Sequence, residues 1–286
     1  MQNESTLKDL PQLLCGPLVR HVESDHFYLW LVTKSDHVPQ VECSIDETPV
    51  DIKQTDRVIA IGKHAYVILI RVEPTQPLAH NQRIGYDLVW PTENERLSDQ
   101  HDFLLYSGQT CPQFVYKETI DQLLHGSCRR PHHPARDGLS RADKEIEAHL
   151  DRPSKRAGIL LHTGDQVYVD DVAGPMLASI HALIEVLKLS DEALPDDQLN
   201  QLDDLIQHPN GYYSRQSLLP DTKANEALTE KFFGGVKKPI FTSAHAGNHL
   251  ITAAEVFAMY LLCWSPTPWR LIKVQQPSQL NQEQQK

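Results

Sequence analysis

Between residues 10 and 116 the chain repeats one pattern. Short runs rich in β-branched and aromatic residues occupy 27–32, 41–45, 57–61, 66–72, 84–90 and 103–106. Pro39, Pro49, Gly62, Pro74 and Pro77 fall between these runs rather than inside them. A proline inside a central strand removes a ladder donor, so this punctuation marks turns. Several runs alternate polar and apolar residues, as in Asp25-His26-Phe27-Tyr28-Leu29-Trp30-Leu31-Val32. A period of two that recurs in this way predicts an antiparallel β-sandwich. Nothing in it carries chemistry. His21, His26, His37, His64, His80 and His101 are spread over separate turns and strands and read as surface or edge residues.

The pattern changes near residue 120. An apolar run at Leu123-Leu124 leads through His125-Gly126-Ser127 to Cys128, and a second run at Ile159-Leu160-Leu161 leads through His162-Thr163-Gly164 to Asp165. Both runs read as strands. A helix is expected between them over 139–150, with Ser140 as N-cap and Pro153 ending it. Strand, helix and strand in series favour a parallel pair. Further helices are expected over 175–189, 196–207, 224–233 and 250–263, and the Gln-rich stretch 275–286 is expected to be disordered. The fold class is therefore α+β, with a sandwich over 1–116, an α/β region over 117–272 and a tail over 273–286.

Residues at the C-terminal ends of parallel strands face the binding crevice of an α/β sheet. Asp165, Tyr168, Asp170 and Asp171 place four oxygen-bearing side chains within seven residues there. Such a composition suits metal binding, and it equally suits a solvated acidic loop. If the two strands are neighbours, Cys128 joins Asp165 at one sheet edge, and thiolate with phenolate donors suits a transition metal such as ferric iron. Arg129 and Arg130 offer forked donors to phosphate oxygens, and His132 and His133 offer proton donors. Each has a plainer reading: Cys128 as a small buried hydrophobe, the arginines as partners of surface carboxylates, the histidines as a polar loop. A Cys–His nucleophile pair is a further possibility, though no nucleophile motif surrounds Cys128.

The formal charge of −11 argues against binding a nucleic-acid backbone. The longest apolar stretch, 250–264, contains Glu255 and is too short to span a bilayer. No secretory signal is recognised at the N-terminus, and the five cysteines form no CxxC pair. A cytoplasmic setting without a membrane partner is expected.

Gly126-Ser127-Cys128-Arg129-x-Pro131-His132, followed by Leu161-His162-Thr163-Gly164-Asp165-Gln166-Val167-Tyr168-Val169-Asp170-Asp171, resembles the PhoD-like phosphatases. These are the alkaline phosphatase D branch of the calcineurin-like metallophosphoesterases. The resemblance extends over the stretch 241–251 and the helix ending at Trp264-Ser265, and the β-rich region looks like the sandwich that precedes the catalytic domain in that family. It implies hydrolysis of phosphate esters on a metal cluster of iron and calcium. By residue match, Cys128, Asp165 and Tyr168 fall on metal-ligand positions. Arg129 and His132 are candidates for catalytic contacts, Arg129 through phosphate.

The family continues into a D-D-H-type motif and later Asp and His ligands that this sequence does not contain; no Asp follows Asp221. The chain is thus expected to hold only the N-terminal portion of a metallophosphoesterase domain. Three readings follow: a truncated phosphatase inactive alone, one piece of a split enzyme completed by a C-terminal partner polypeptide, or a non-catalytic interaction or ligand-binding protein built on the sandwich.

Overall fold

The computed structural model describes residues 11–129, 136–170, 172–190, 192–193, 199–212, 214–218 and 246–272. The strands are β1 (Leu13–Val22), β2 (Phe27–Thr33), β3 (Gln40–Ile45), β4 (Thr48–Val50), β5 (Ile52–Gly62), β6 (Ala65–Pro74), β7 (Arg83–Trp90) and β8 (Glu95–Arg96). A short helix α1 (Leu97–Gln100), a 3-10 turn at Asp102–Leu104 and β9 (Gln113–Val115) follow. β10 (Leu123–Gly126), α2 (Gly138–Glu147) and β11 (Ile159–His162) come next, then α3 (Gly174–Leu187), α4 (Leu202–Gln207) and α5 (Ala253–Trp264). The protein is mixed α+β. Among the described residues, no helix is long and apolar enough to cross a membrane.

The chain divides into two compact units, one of Lys8–Ala60 with His64–Gln166 and one of Ile61–Lys63 with the chain from Val167 onward. The first contains two antiparallel sheets, one ordered β1-β2-β6-β5 and one ordered β4-β3-β7-β8 with β9 also on β7. Period-two alternation drives their formation: Phe27, Leu29 and Leu31 point inward and are fully buried, while Tyr28 and Trp30 between them are not. Their inward face meets Val41, Cys43, Ile45, Ile84, Tyr86 and Leu88 of the other sheet in one core.

Some elements differ from expectation. β1 contains Gly16-Pro17, a turn signal in the sequence, yet the strand continues through it. Pairing with β2 slips between Cys15 and Leu18, and Gly16 at φ +90° sits where a Cβ would meet the Trp30 carbonyl at 2.8 Å. A bulge absorbs the dipeptide. The run 103–106, expected as a strand, instead begins in the 3-10 turn, with Phe103 largely exposed. The helix expected over 139–150 starts one residue earlier. Asp137, not Ser140, caps it, accepting from the Leu139 amide at 2.9 Å, and Ser140 Oγ donates to the Asp137 carbonyl.

The same unit holds β10 and β11, which are parallel neighbours in register: Leu123 faces Ile159 and Gly126 faces His162. Two cations tie this pair to the sandwich. The Lys117 side chain is 2% exposed, and its ammonium donates to Asn81, Asp121 and the Ser154 carbonyl. Arg156 Nη2 donates to the Gln113 carbonyl on β9 at 3.0 Å. Close packing against Lys117 also requires Gly158, where a Cβ would lie 2.7 Å from the lysine Cγ.

In the second unit α3 buries eight of its 14 residues and α5 six of its 12. The end of β5 joins them: Gly62 bridges Leu189, and the Lys63 amide donates to the Lys188 carbonyl at 2.8 Å. Of the helix expected over 196–207, residues 199–207 are described, and α4 begins only at Leu202, with Gln201 as its N-cap. The expected helix over 224–233 and the tail from 275 lie outside the described residues.

Candidate metal centre at the ends of two parallel strands

Each strand of the parallel pair runs into a turn that carries one candidate donor. Past β10, Cys128 has φ +61°; past β11, Asp165 has φ +52°. Non-glycine residues in this left-handed region cost on the order of 1–3 kcal/mol each and persist only where surroundings hold them. Here the two turns hold each other. The Cys128 amide donates to the Gly164 carbonyl at 3.1 Å, and the Arg129 amide donates to the Asp165 carbonyl at 3.0 Å. His125 Nε2 meets Thr163 Oγ1 at 2.8 Å and stitches the strand ends together. Gly164, at φ +149°, supplies a conformation that side chains rarely adopt.

The outcome is that Cys128 Sγ and Asp165 Oδ2 lie 3.2 Å apart, both exposed. Ser127 Oγ donates to the same sulfur at 3.3 Å. Metal–sulfur bonds of about 2.3 Å and metal–oxygen bonds of about 2.1 Å enclose roughly 90° at the ion when the donors are this far apart. Neighbouring donors of an octahedral shell have that angle, so the pair fits a metal ion. Among the described residues no group of three or more His, Cys, Asp or Glu side chains is arranged to hold one.

Arg129 does not extend freely toward solvent. Its Nη2 donates to Asp137 Oδ2 at 2.8 Å, and its Nε reaches both oxygens at 3.3–3.4 Å. That hydrogen bond outweighs the modest desolvation of Asp137 and, with the Leu139 amide, holds its carboxyl below the usual carboxylate range. One carboxylate thus orients Arg129 and caps α2 together. His162, at the end of β11, has its pKa lowered by burial and then by the nearby cations Arg129 and Arg20.

No protein-family model, curated protein or solved structure matches this chain. The site therefore rests on its own geometry and chemistry. Tyr168 and Asp170 belong to the second unit and are partly buried. Arg130, His132, His133 and Asp171 lie outside the described residues. Asp137 was not anticipated from the sequence, where an acidic residue eight positions past Arg129 carries no signal.

In the second unit a carboxylate without solvent access organises its neighbours. Glu255 Oε1 accepts from His181 Nε2 at 2.7 Å and from Arg215 Nη2 at 2.6 Å. Its Oε2 accepts the Ile251 and Thr252 amides at 2.8 and 3.2 Å, closing a capping box with Thr252. Burial alone would raise the Glu255 pKa. The His181 hydrogen bond and the Arg215 charge outweigh it and hold the value at about 2. A glutamate inside the apolar run Ala253-Ala254-Glu255-Val256-Phe257 is the one sequence signal for this network, because a buried carboxylate requires partners.

Proposed function

We propose that this chain carries the thiolate–carboxylate part of the metal centre of a PhoD-like phosphate-ester hydrolase. The observation that carries the reading is the 3.2 Å approach of Cys128 Sγ and Asp165 Oδ2 at the aligned ends of two parallel strands. A buried structural cysteine would not be exposed, and a loose acidic surface loop would not be tied to the cysteine's turn by two backbone hydrogen bonds, from the Cys128 and Arg129 amides to the Gly164 and Asp165 carbonyls. By the sequence resemblance, Tyr168 falls on a further metal-ligand position of a cluster that would hold iron and calcium.

A metal held there supplies Lewis-acid polarisation of a phosphate ester and a water of lowered pKa. The protein's own parts have distinct tasks. Cys128 and Asp165 hold the ion, each in a turn that the other fixes. Arg129 contacts a phosphate oxygen by exchanging one of its two-sided contacts with Asp137 for the substrate, so Asp137 sets its direction of approach. His132, three residues past Arg129 in sequence, is proposed as the proton donor to the leaving group. The substrate is a small phosphate ester.

One observation favours the reading in which a second polypeptide completes the site. Leu123, Leu160 and Leu161 are 46%, 45% and 43% exposed on the parallel pair. Parallel strands are stable when both faces are covered. A partner segment that packs apolar side chains over those faces satisfies this, and co-expression with a downstream D-D-H-bearing segment tests it: restored hydrolysis supports the split enzyme, and unchanged activity contradicts it.

For the main reading, the protein is loaded with iron and calcium and assayed with p-nitrophenyl phosphate and bis-p-nitrophenyl phosphate, with metal content measured in parallel. Metal retention that falls at least tenfold in both Cys128→Ala and Asp165→Ala supports the assignment. Retention unaffected by either substitution contradicts it, whatever the turnover.

A further inference from the structure

Taken along the sequence, His21 and His26 are separate surface residues; the β1–β2 hairpin brings them together. Their ring centres lie 5.9 Å apart, and both rings stand beside Tyr28, at 6.2 and 5.4 Å. A bulge makes this possible. Arg20 pairs with Tyr28 and Val22 with Phe27, so His21 is the extra residue of β1, at φ +26°. A bulge re-aims the side chain it carries, and histidine tolerates positive φ better than most residues. Each imidazole also has a carboxylate on one nitrogen. His26 Nδ1 meets Asp25 Oδ1 at 2.7 Å, and His21 Nε2 lies 3.2 Å from Glu23 Oε1. Nδ1 of His21 and Nε2 of His26 remain.

We propose that His21 and His26 form a further metal site, which takes one divalent transition ion of the zinc class through His21 Nδ1 and His26 Nε2. It stands apart from the Cys128 reading and does not depend on it. Imidazole is the ligand that zinc, copper and nickel share. With metal–nitrogen bonds of about 2.1 Å and ring nitrogens about 1 Å from their ring centres, two imidazoles on one ion have centres roughly 5–6 Å apart. The observed 5.9 Å falls at the wide end, and a small turn of the exposed His21 ring brings it in. Water completes the shell, since among the described residues no third His, Cys, Asp or Glu is arranged to join. Glu23 and Asp25 are positioning residues. A carboxylate on the far nitrogen of a ligand histidine fixes its tautomer, orients its ring and raises its basicity. The local charge also suits a cation. Of the two guanidiniums that flank Tyr28, Arg71 is tied to Glu73, which leaves Arg20 against the Glu23 and Asp25 carboxylates.

The test titrates zinc chloride into the full chain carrying Cys128→Ser, which takes that thiolate out of competition. Long-range proton–nitrogen correlation spectra of the histidine rings read which nitrogen binds. His21 Nδ1 and His26 Nε2 are expected to shift together and to saturate with a single zinc ion. Adding His21→Ala is expected to raise the zinc needed to shift His26 by roughly tenfold or more, and His26→Ala to do the same for His21. The His21 side chain is 63% exposed, so its removal leaves the core intact and His21→Ala alone decides the coupling. Glu23→Gln and Asp25→Asn are each expected to weaken binding on the order of tenfold with both ligands retained. Rings that titrate independently of each other, as in adventitious surface binding, overturn the proposal. So do rings that do not respond to zinc. Coupled ligation that is unchanged in both carboxylate variants overturns the positioning role and leaves the two-histidine site standing.

Discussion

Glu255 shows how one residue decides the behaviour of a whole unit. Its carboxylate is inaccessible, accepts four hydrogen bonds and faces a buried guanidinium. Removing one partner of a buried pair leaves the other charge stranded, which costs about 3–5 kcal/mol. Glu255→Gln is accordingly expected to destabilise the helical unit by that amount in urea unfolding followed by far-UV circular dichroism. The pH dependence has a defined sign. The folded pKa of about 2 lies below the ordinary 4.5. The stabilisation is therefore complete above pH 4.5 and is lost as pH falls toward 2. The linked loss is on the order of 3 kcal/mol. Glu255→Gln should show a flatter acid limb than wild type. Glu42 also has a lowered pKa through Arg96, but both side chains are more than a third exposed, and solvent screening leaves that pair a minor contributor.

At the scale of elements, the strands of the sandwich were legible because alternation and turn residues are local signals, and the parallel pair was legible because two apolar runs each ended at a candidate donor. β1 was not, because its Gly16-Pro17 looks like a turn until the partner strand supplies a bulge. The 3-10 turn at Asp102–Leu104 was not, because a run of four apolar residues does not distinguish strand from turn without its contacts. Asp137 as the cap of α2 was missed for a related reason. Its carboxylate is drawn there by Arg129 as well as by the helix, and that ion pair is a tertiary fact. Two expectations at this scale are measurable. Thr252→Ala removes the α5 cap and should lower the stability of the helical unit by about 1 kcal/mol. Gly62→Ala places a Cβ 2.7 Å from the Lys188 carbonyl and 2.8 Å from Leu189 Cα. It should separate the end of β5 from residues 188–190, seen as lost hydrogen-exchange protection at Lys63 and Ser190.

Across the whole molecule, the sandwich and the helical unit have different sources of order. The first rests on one apolar core between two sheets, the second on apolar helices joined through a buried ionic network. Trp30 and Trp90 report on one, Trp264 and Trp269 on the other. Lowering the pH from 5 to 3 should therefore move the helical transition to lower urea more than the sandwich transition. The Cys128–Asp165 site stands on the sandwich side of this division, buttressed by Lys117 and Arg156. Its donor pair is expected to survive acid conditions that loosen the helical unit, down to the pH at which its own ligands protonate.

The claim on which the functional account depends is that Cys128 and Asp165 ligate a metal together. Cobalt(II) titration of the intact chain, followed by the thiolate-to-cobalt charge-transfer absorption, tests it most directly. The account predicts one such site per chain, its band abolished in Cys128→Ser and its affinity lowered at least tenfold in Asp165→Asn with the fold retained. A band absent from the wild type, or affinity identical in wild type and Asp165→Asn, would contradict it.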